Sequence, residues 1–272
     1  MPDISLESFR TMVAVLKRVS VKTIDIIGGE PTLHPNIVDI IRSSVISGIS
    51  VNISTNGSNL DILKKIAALG KQISIGISVN DFQTLRQVSK LIKTGGPVVK
   101  TVYTNDLNFR MIEAILSFKP KKFYLIYRDI LKRAELDQTI SFHKFYSTVE
   151  KLSVDSQIGM VFCSGFLPDI EHYPELATAR CPAGSTKLGV LPDGSVYPCN
   201  LFFGEKDFLL GNILTDTFDR IWNNQALRYF RAPSKKACTL ISCRLYSQCH
   251  GGCPAQSFLV TGNLDAPDPR CP

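Results

Sequence analysis

Five short apolar runs, rich in β-branched and aromatic residues, punctuate the first half of the chain. They are TIDII (23–27), ISVNIS (49–54), ISIGIS (73–78), VVKTVY (98–103) and FYLIY (123–127). Runs of this length and composition predict strands. Their starts lie 26, 24, 25 and 25 residues apart. Between them the apolar positions switch to helical spacing. NIVDIIRSSVIS has Asn36 as its expected N-cap and Gly48 past its end, and NLDILKKIAALG runs from Asn59 to a stop at Gly70. DFQTLRQVSKLIK opens at Asp81 and halts before Gly95 and Gly96, and NFRMIEAILSF ends before Pro120. These are the residue types that begin and end helices, and residues 1–20 read as a further helix. Near-continuous apolar strands alternating with helices predict an α/β fold whose parallel sheet is buried on both faces.

So even a register suits a barrel or a doubly wound sheet, and the pattern does not separate the two. In both, ligands sit beyond the carboxyl ends of the strands. The segments to watch are therefore GGEP (28–31), TNG (55–57), VND (79–81), TND (104–106) and RD (128–129). Each alone is what any turn would use; their shared position at one rim points to a polar ligand. In GGEP, two glycines after a strand let a backbone approach a ligand, and Glu30 offers a carboxylate for an ammonium group. The plainer reading is a tight turn before the helix at Asn36, with His34 and Pro35 in its entry. Arg128 and Asp129 lie at the same rim but fit a surface ion pair equally well, so no catalytic residue is named.

The pattern then changes. SGFLPDIEHYPELATAR (164–180) is aperiodic and reads as part of a linker. KLGVLPDGSVYPC (187–199) reads as a hairpin around PDG. TDTFDRIWNNQALRYFR reads as a helix capped near Thr215, with Phe218, Ile221 and Trp222 on one face. The rest shows little core, so this region is expected to need staples. Seven of the eight cysteines fall here: Cys181, Cys199, Cys238, Cys243, Cys249, Cys253 and Cys271.

Composition narrows what these cysteines do. The 272 residues are 44% hydrophobic and 20% charged, ordinary for a globular chain. No apolar run reaches the roughly 18 residues of a membrane-spanning helix, and the N-terminus lacks a secretory signal. The expected compartment is cytoplasmic, where clustered cysteines hold metal or do redox chemistry rather than form disulfides. The net charge of +7 is dispersed in short groups such as KPKK and KRAE. Metal-bound cysteines, being thiolates, reduce it further. Neither nucleic acid nor membrane is expected as a partner. Four cysteines suit a closed zinc site, but the spacings C-x4-C, x5-C and x3-C contain no C-x2-C pair. Iron–sulfur clusters take four thiolates from more varied loops, and spacing puts them ahead of zinc.

The run from Cys181 through Gly194 to Cys199, and on across the quartet to Cys271, resembles the SPASM domain of radical S-adenosylmethionine (radical SAM) enzymes. LGNILTDTFDRIWNN and the ending CHGGCPAQSFLVTGNLDAPDPRC are similar to the same family, and IDIIGGEPTLHP resembles its GGEP segment. One departure is C-x4-C at Cys238 and Cys243, where the family usually has C-x2-C. The resemblance implies a partial (βα) TIM-type barrel lacking its first strand (1–155), a linker (156–180) and a cysteine-rich SPASM domain (181–272). It implies two auxiliary [4Fe–4S] clusters, one on Cys238, Cys243, Cys249 and Cys271, the other on Cys181, Cys199 and Cys253. The second set has no fourth cysteine unless Cys163, which ends an apolar run, supplies it. Gly28, Gly29 and Glu30 would contact the amino group of S-adenosylmethionine, with Asn56 and Ser78 placed for further polar contacts to it.

The larger departure is the C-x3-C-x2-C loop that holds the family's SAM-cleaving cluster, since no cysteine precedes Cys163. The favoured expectation is a shortened form of a longer protein, with this third cluster present only at full length. The chain alone is then not expected to cleave SAM. The expected function is a maturase acting on a peptide or protein by 5′-deoxyadenosyl-radical hydrogen abstraction, fed by an electron donor such as a flavodoxin or ferredoxin. A haem-pathway (tetrapyrrole) enzyme is one alternative, and a catalytically inactive iron–sulfur binding or electron-transfer protein is the other.

Overall fold

The structure is a computed structural model, and it describes residues 2–105, 109–153, 158–161, 181–233, 238, 242–249 and 251–271. These form two compact units. One comprises Asp3–Ile126 with Ser147–Val161; the other comprises Tyr127–Tyr146 and Phe162–Pro272, with the first two residues.

The first unit is built on a sheet of β1 (Thr23–Ile26), β2 (Ser50–Thr55), β3 (Ile73–Ser78), β4 (Val98–Tyr103), β5 (Lys122–Tyr127) and β6 (Ile158–Val161). The strands lie side by side in chain order, with parallel pairing. Sequential parallel strands joined by helices curl into an arc of a (βα) barrel. The linker expected at 156–180 lies outside the described residues apart from 158–161, which belong to β6.

The helices are α1 (Leu6–Arg18), α2 (Ile37–Ile46), α3 (Leu60–Ala67), α4 (Phe82–Lys93), α5 (Phe109–Ser117) and α6 (Phe142–Ser153), which continues from one unit into the other. Asn59 and Asp81 cap α3 and α4, their side chains accepting from the backbone N–H of Ile62 and Thr84. Asn36 sits at the N-cap of α2 but its side chain makes no capping bond. His34 holds that entry instead. Its Nδ1 accepts from Asn36 N–H at 3.0 Å, so Nε2 carries the proton and donates to Ile4 O at 2.9 Å.

The sheet departs from the two-sided burial that its apolar runs imply. Val51, Ile53, Val99 and Ile77 are buried with Ile41, Leu63, Ile66, Val88, Ile92 and Ile115 of the helices. Along β2 and β4 the residues between them, Asn52, Ser54 and Lys100, are exposed or half-exposed. With Asp25, Gly76 and Ser78 they make a polar strip. A strand needs only alternate residues for a helix layer, so the opposite face is left open to other uses.

The second unit carries a small antiparallel sheet of β7 (Gly189–Val190), β8 (Ser195–Tyr197) and β9 (Gly211–Asn212). The expected hairpin is its first pair, and Gly194 turns it at φ +88°. The expected helix from Thr215 is two short ones. Thr217 caps α7 (Phe218–Trp222), and α8 (Leu227–Arg231) follows. The break falls at Asn224, whose side-chain oxygen accepts from Ala226 N–H while its amide donates to Leu210 O. Such local bonds compete with a continuous helix. Two further helices, α9 (Tyr246–Cys249) and α10 (Pro254–Thr261), flank Cys253. The core that the sequence did not reveal is aromatic: Phe202, Phe208, Phe230 and Phe258, with Phe202 and Phe208 at 4.1 Å between ring centres. Among the described residues no helix is long and apolar enough to cross a membrane.

Candidate functional site

The carboxyl ends of β1 and β2 are tied together by Glu30. Its Oε1 accepts from Thr32 N–H at 3.0 Å, Thr32 Oγ1 at 2.5 Å and Thr55 Oγ1 at 2.7 Å; its Oε2 accepts from Asn56 N–H at 2.6 Å. Half-burial pushes the carboxyl up, but these hydrogen bonds outweigh it and hold its pKa below the usual range. Glu30 is thus an anion at neutral pH, and Oε2 keeps acceptor capacity beyond its single bond to Asn56. Gly28 and Gly29 precede it with φ +95° and +39°, and a Cβ on either would meet nothing within 4 Å. Their glycine requirement is therefore backbone conformation, and the space above them is open. The segment forms the turn, and Glu30 ties it to the end of β2.

Asn56 is exposed, and its side-chain oxygen accepts from Ser58 N–H at 2.8 Å. Ser78 ends β3 and stands in register with Lys100 of β4. Lys100 was not singled out from the sequence. Its Nζ donates to Ser54 Oγ at 2.8 Å by passing over Gly76 of the intervening strand, where a Cβ would lie 2.4 Å from the lysine Cε. Burial lowers the Lys100 pKa, and Asp25 partly opposes this. The rim and strip thus present the Glu30 and Asp25 carboxylates and the Lys100 ammonium group, with Asn56 bonded to Glu30 and Ser78 beside Lys100. The available signal was a lysine inside an apolar run, facing the same side as Ser78.

In the other unit, none of the seven cysteines is disulfide-bonded. Burial, with Cys249, Cys238 and Cys243 as near electrostatic neighbours, pushes the Cys271 thiol up to about 12. Burial, Cys238 and Cys243 raise Cys249 likewise. Cys238 and Cys243 are thus near neighbours of both Cys249 and Cys271, and the four thiols share one neighbourhood. Among the described residues no three Cys, His, Asp or Glu side chains converge on a single ion. Four thiols in one neighbourhood are a donor set that an iron–sulfur cluster would fit.

Cys253 belongs to a different setting. Gly251 and Gly252, both at positive φ, swing the chain into Cys253 at the start of α10. The loop docks on the segment 268–271. Asp268 N–H donates to Gly251 O at 2.9 Å, Cys253 N–H donates to Asp268 Oδ2 at 3.0 Å, and Cys271 N–H donates to Asp268 O at 3.0 Å. Arg270, with a fully buried side chain, grips Asp268 through Nε and Nη2 and reaches Asp129 through Nη1 at 2.8 Å. Cys181 is buried and its N–H points to Phe230 O; Cys199 lies between β8 and a turn of 3₁₀ helix. Cys163 lies outside the described residues. Sequence reasoning missed Arg270 and Asp268 because a charged pair in DPRC reads as solvated surface.

Comparison with known proteins bears on both regions. Residues 1–106 match the radical SAM superfamily, and residues 181–254 match SPASM, an iron–sulfur cluster-binding domain. The chain is 27% identical over 305 residues to the mycofactocin maturase MftC of Mycobacterium ulcerans, covering 99% of this chain and 80% of that protein. It is 24% identical over 287 residues to the AdoMet-dependent heme synthase of Methanosarcina barkeri, covering 90% of this chain and 80% of the other. The crystal structure of Streptococcus suis SuiB bound to precursor peptide SuiA shares the fold. Its TM-score is 0.68 at 19% identity, over 98% of this chain and 69% of that one.

Proposed function

Since this chain belongs to the radical SAM superfamily and carries a SPASM iron–sulfur cluster-binding domain, we propose that it is a maturase modifying a peptide or protein substrate. The observation that carries this reading is the order of the two matches in one chain, aligned over almost its whole length with a maturase. SuiB, of the same fold, binds a precursor peptide, which supports a peptide substrate here.

In this reading the methionine part of S-adenosylmethionine lies at the rim. Glu30 Oε2 would hold its ammonium group, the open backbone of Gly28 and Gly29 would let it approach, and Asn56 and Ser78 would offer further polar contacts. Lys100 is the cation available for the carboxylate. Bound there and supplied with one electron, the cofactor would provide radical chemistry for abstraction of a hydrogen atom from the substrate. The electron is proposed to come from a flavodoxin- or ferredoxin-type donor through a cluster on a C-x3-C-x2-C segment. Two auxiliary clusters are assigned to Cys238, Cys243, Cys249 and Cys271, and to Cys181, Cys199 and Cys253. The 24% identity to a heme synthase keeps a tetrapyrrole substrate as the second reading.

Anaerobic reconstitution tests the proposal. The expected content is about eight irons and as many sulfides, four per cluster. Half that content would remove one cluster, and bound zinc without sulfide would overturn the assignment. Protection of the polar strip from chemical labelling by a precursor peptide supports the maturase reading. Protection by a porphyrin instead favours the second.

A further inference from the structure

The Cys243 sulfur has a side-chain partner on a distant element. His143, in the first turn of α6, places Nε2 at 3.3 Å from its sulfur, and Leu245 N–H points to the same sulfur at 3.3 Å. The two cysteine-quartet residues with raised thiols, Cys249 and Cys271, show no comparable contact to a side chain among the hydrogen bonds described.

The histidine is held there by a chain of contacts unrelated to metal binding. Phe142 N–H, one residue earlier, donates to Arg270 O at 3.1 Å. Tyr127 Oη donates to Ile140 O at 2.9 Å and approaches Arg270 O at 3.3 Å. Arg270 Nη1 donates to Arg128 O, and Ile130 N–H donates to the buried side chain of Gln256 at 3.1 Å. Three turns of sequence are thereby stapled to the segment that ends in Cys271. On the far side, the Arg244 guanidinium lies over the Tyr146 ring at 5.5 Å. The stretch of backbone that carries His143 is therefore anchored on both sides of it.

A thiolate bound to iron carries no proton, so it can only accept. The imidazole must then present Nε2–H to it. A donor on a ligating sulfur draws electron density from the cluster and favours its reduced form, which raises the reduction potential.

We propose that His143 is a positioning residue that donates a hydrogen bond to the Cys243 thiolate and tunes the reduction potential of the auxiliary cluster held by Cys238, Cys243, Cys249 and Cys271. The proposal rests on the cluster assignment made above.

The test is a redox titration followed by electron paramagnetic resonance on the anaerobically reconstituted chain. His143→Leu is expected to keep the wild-type iron and sulfide content while the midpoint of one cluster moves to more negative potential and the other stays put. His143→Gln, which keeps a donor near the sulfur, is expected to fall between His143→Leu and wild type. An unmoved midpoint in His143→Leu at full cluster content overturns the proposal. Loss of iron from either variant also overturns it, because the residue would then support the fold rather than tune the cluster. The cluster assignment fails on a separate result: an iron count left unchanged by Cys243→Ala.

Discussion

At the scale of single residues, Glu30 carries the clearest consequence. Four hydrogen bonds converge on its carboxylate, and bonds to charged groups contribute about 1.5–3 kcal/mol apiece in favourable cases. Glu30→Gln is expected to weaken S-adenosylmethionine binding by roughly tenfold or more, about 1.4 kcal/mol, measured by calorimetry. Unchanged affinity would leave Glu30 only its turn role. The pH dependence has a definite sign. The folded-state pKa lies below the usual 4.5, so the stabilisation is fully present above that value and fades as pH falls through the folded pKa. Wild-type stability should therefore converge on that of Glu30→Gln in acid. Glu30 was legible in the sequence because glycines and a strand end marked it. Lys100 was not, since a lysine in VVKTVY reads as a solvated side chain. What makes it part of the strip is Gly76, on another strand and 24 residues earlier, whose missing Cβ opens its path.

At the scale of elements, local chemistry was legible wherever it acted locally. Strand spacing located β1 to β5 to within a residue or so, and the caps at Asn59 and Asp81 make the bonds their residue types imply. Asn36 takes the N-cap position but makes no capping bond, and the long helix from Thr215 is split, because a distant or competing partner decided each: His34 bound to Ile4 in one case, Asn224 bound to Leu210 in the other. The loop before Cys253 combines both kinds of control. Gly252 has φ +84°, and a Cβ there would lie 2.4 Å from Asp268 Cβ. Gly252→Ala therefore meets both backbone strain of about 1–3 kcal/mol and a clash that pushes Cys253 away from Asp268. The expected result is lowered thermal stability together with loss of the iron assigned to Cys253. Gly262→Ala serves as a control. It too has positive φ, at +72°, but open space around it, so it should cost stability without costing iron.

At the scale of the whole chain, the stretch 127–146 joins the cysteine-rich unit although it lies in sequence between β5 and β6. Nothing periodic announces this, because its anchors are partners more than a hundred residues away: Arg270 for Asp129 and Phe142, Gln256 for Ile130. Arg270 is the hub. Burial opposes its charge, yet Asp268 and Asp129 overcome this and keep it protonated. Removing one member of a buried ion group leaves the others uncompensated, typically at about 3–5 kcal/mol. Arg270→Met is expected to fall in that range by chemical denaturation, and to loosen both the Asp268 clamp on Cys253 and the stretch bearing His143. Asp268→Asn in the same background removes the stranded charge and should recover part of the stability. It should not recover the cluster properties that depend on the Arg270 side chain holding Arg128 and Asp129 in place. Recovery of both together would mean that charge balance, rather than the geometry Arg270 imposes, is what the cysteine-rich unit requires.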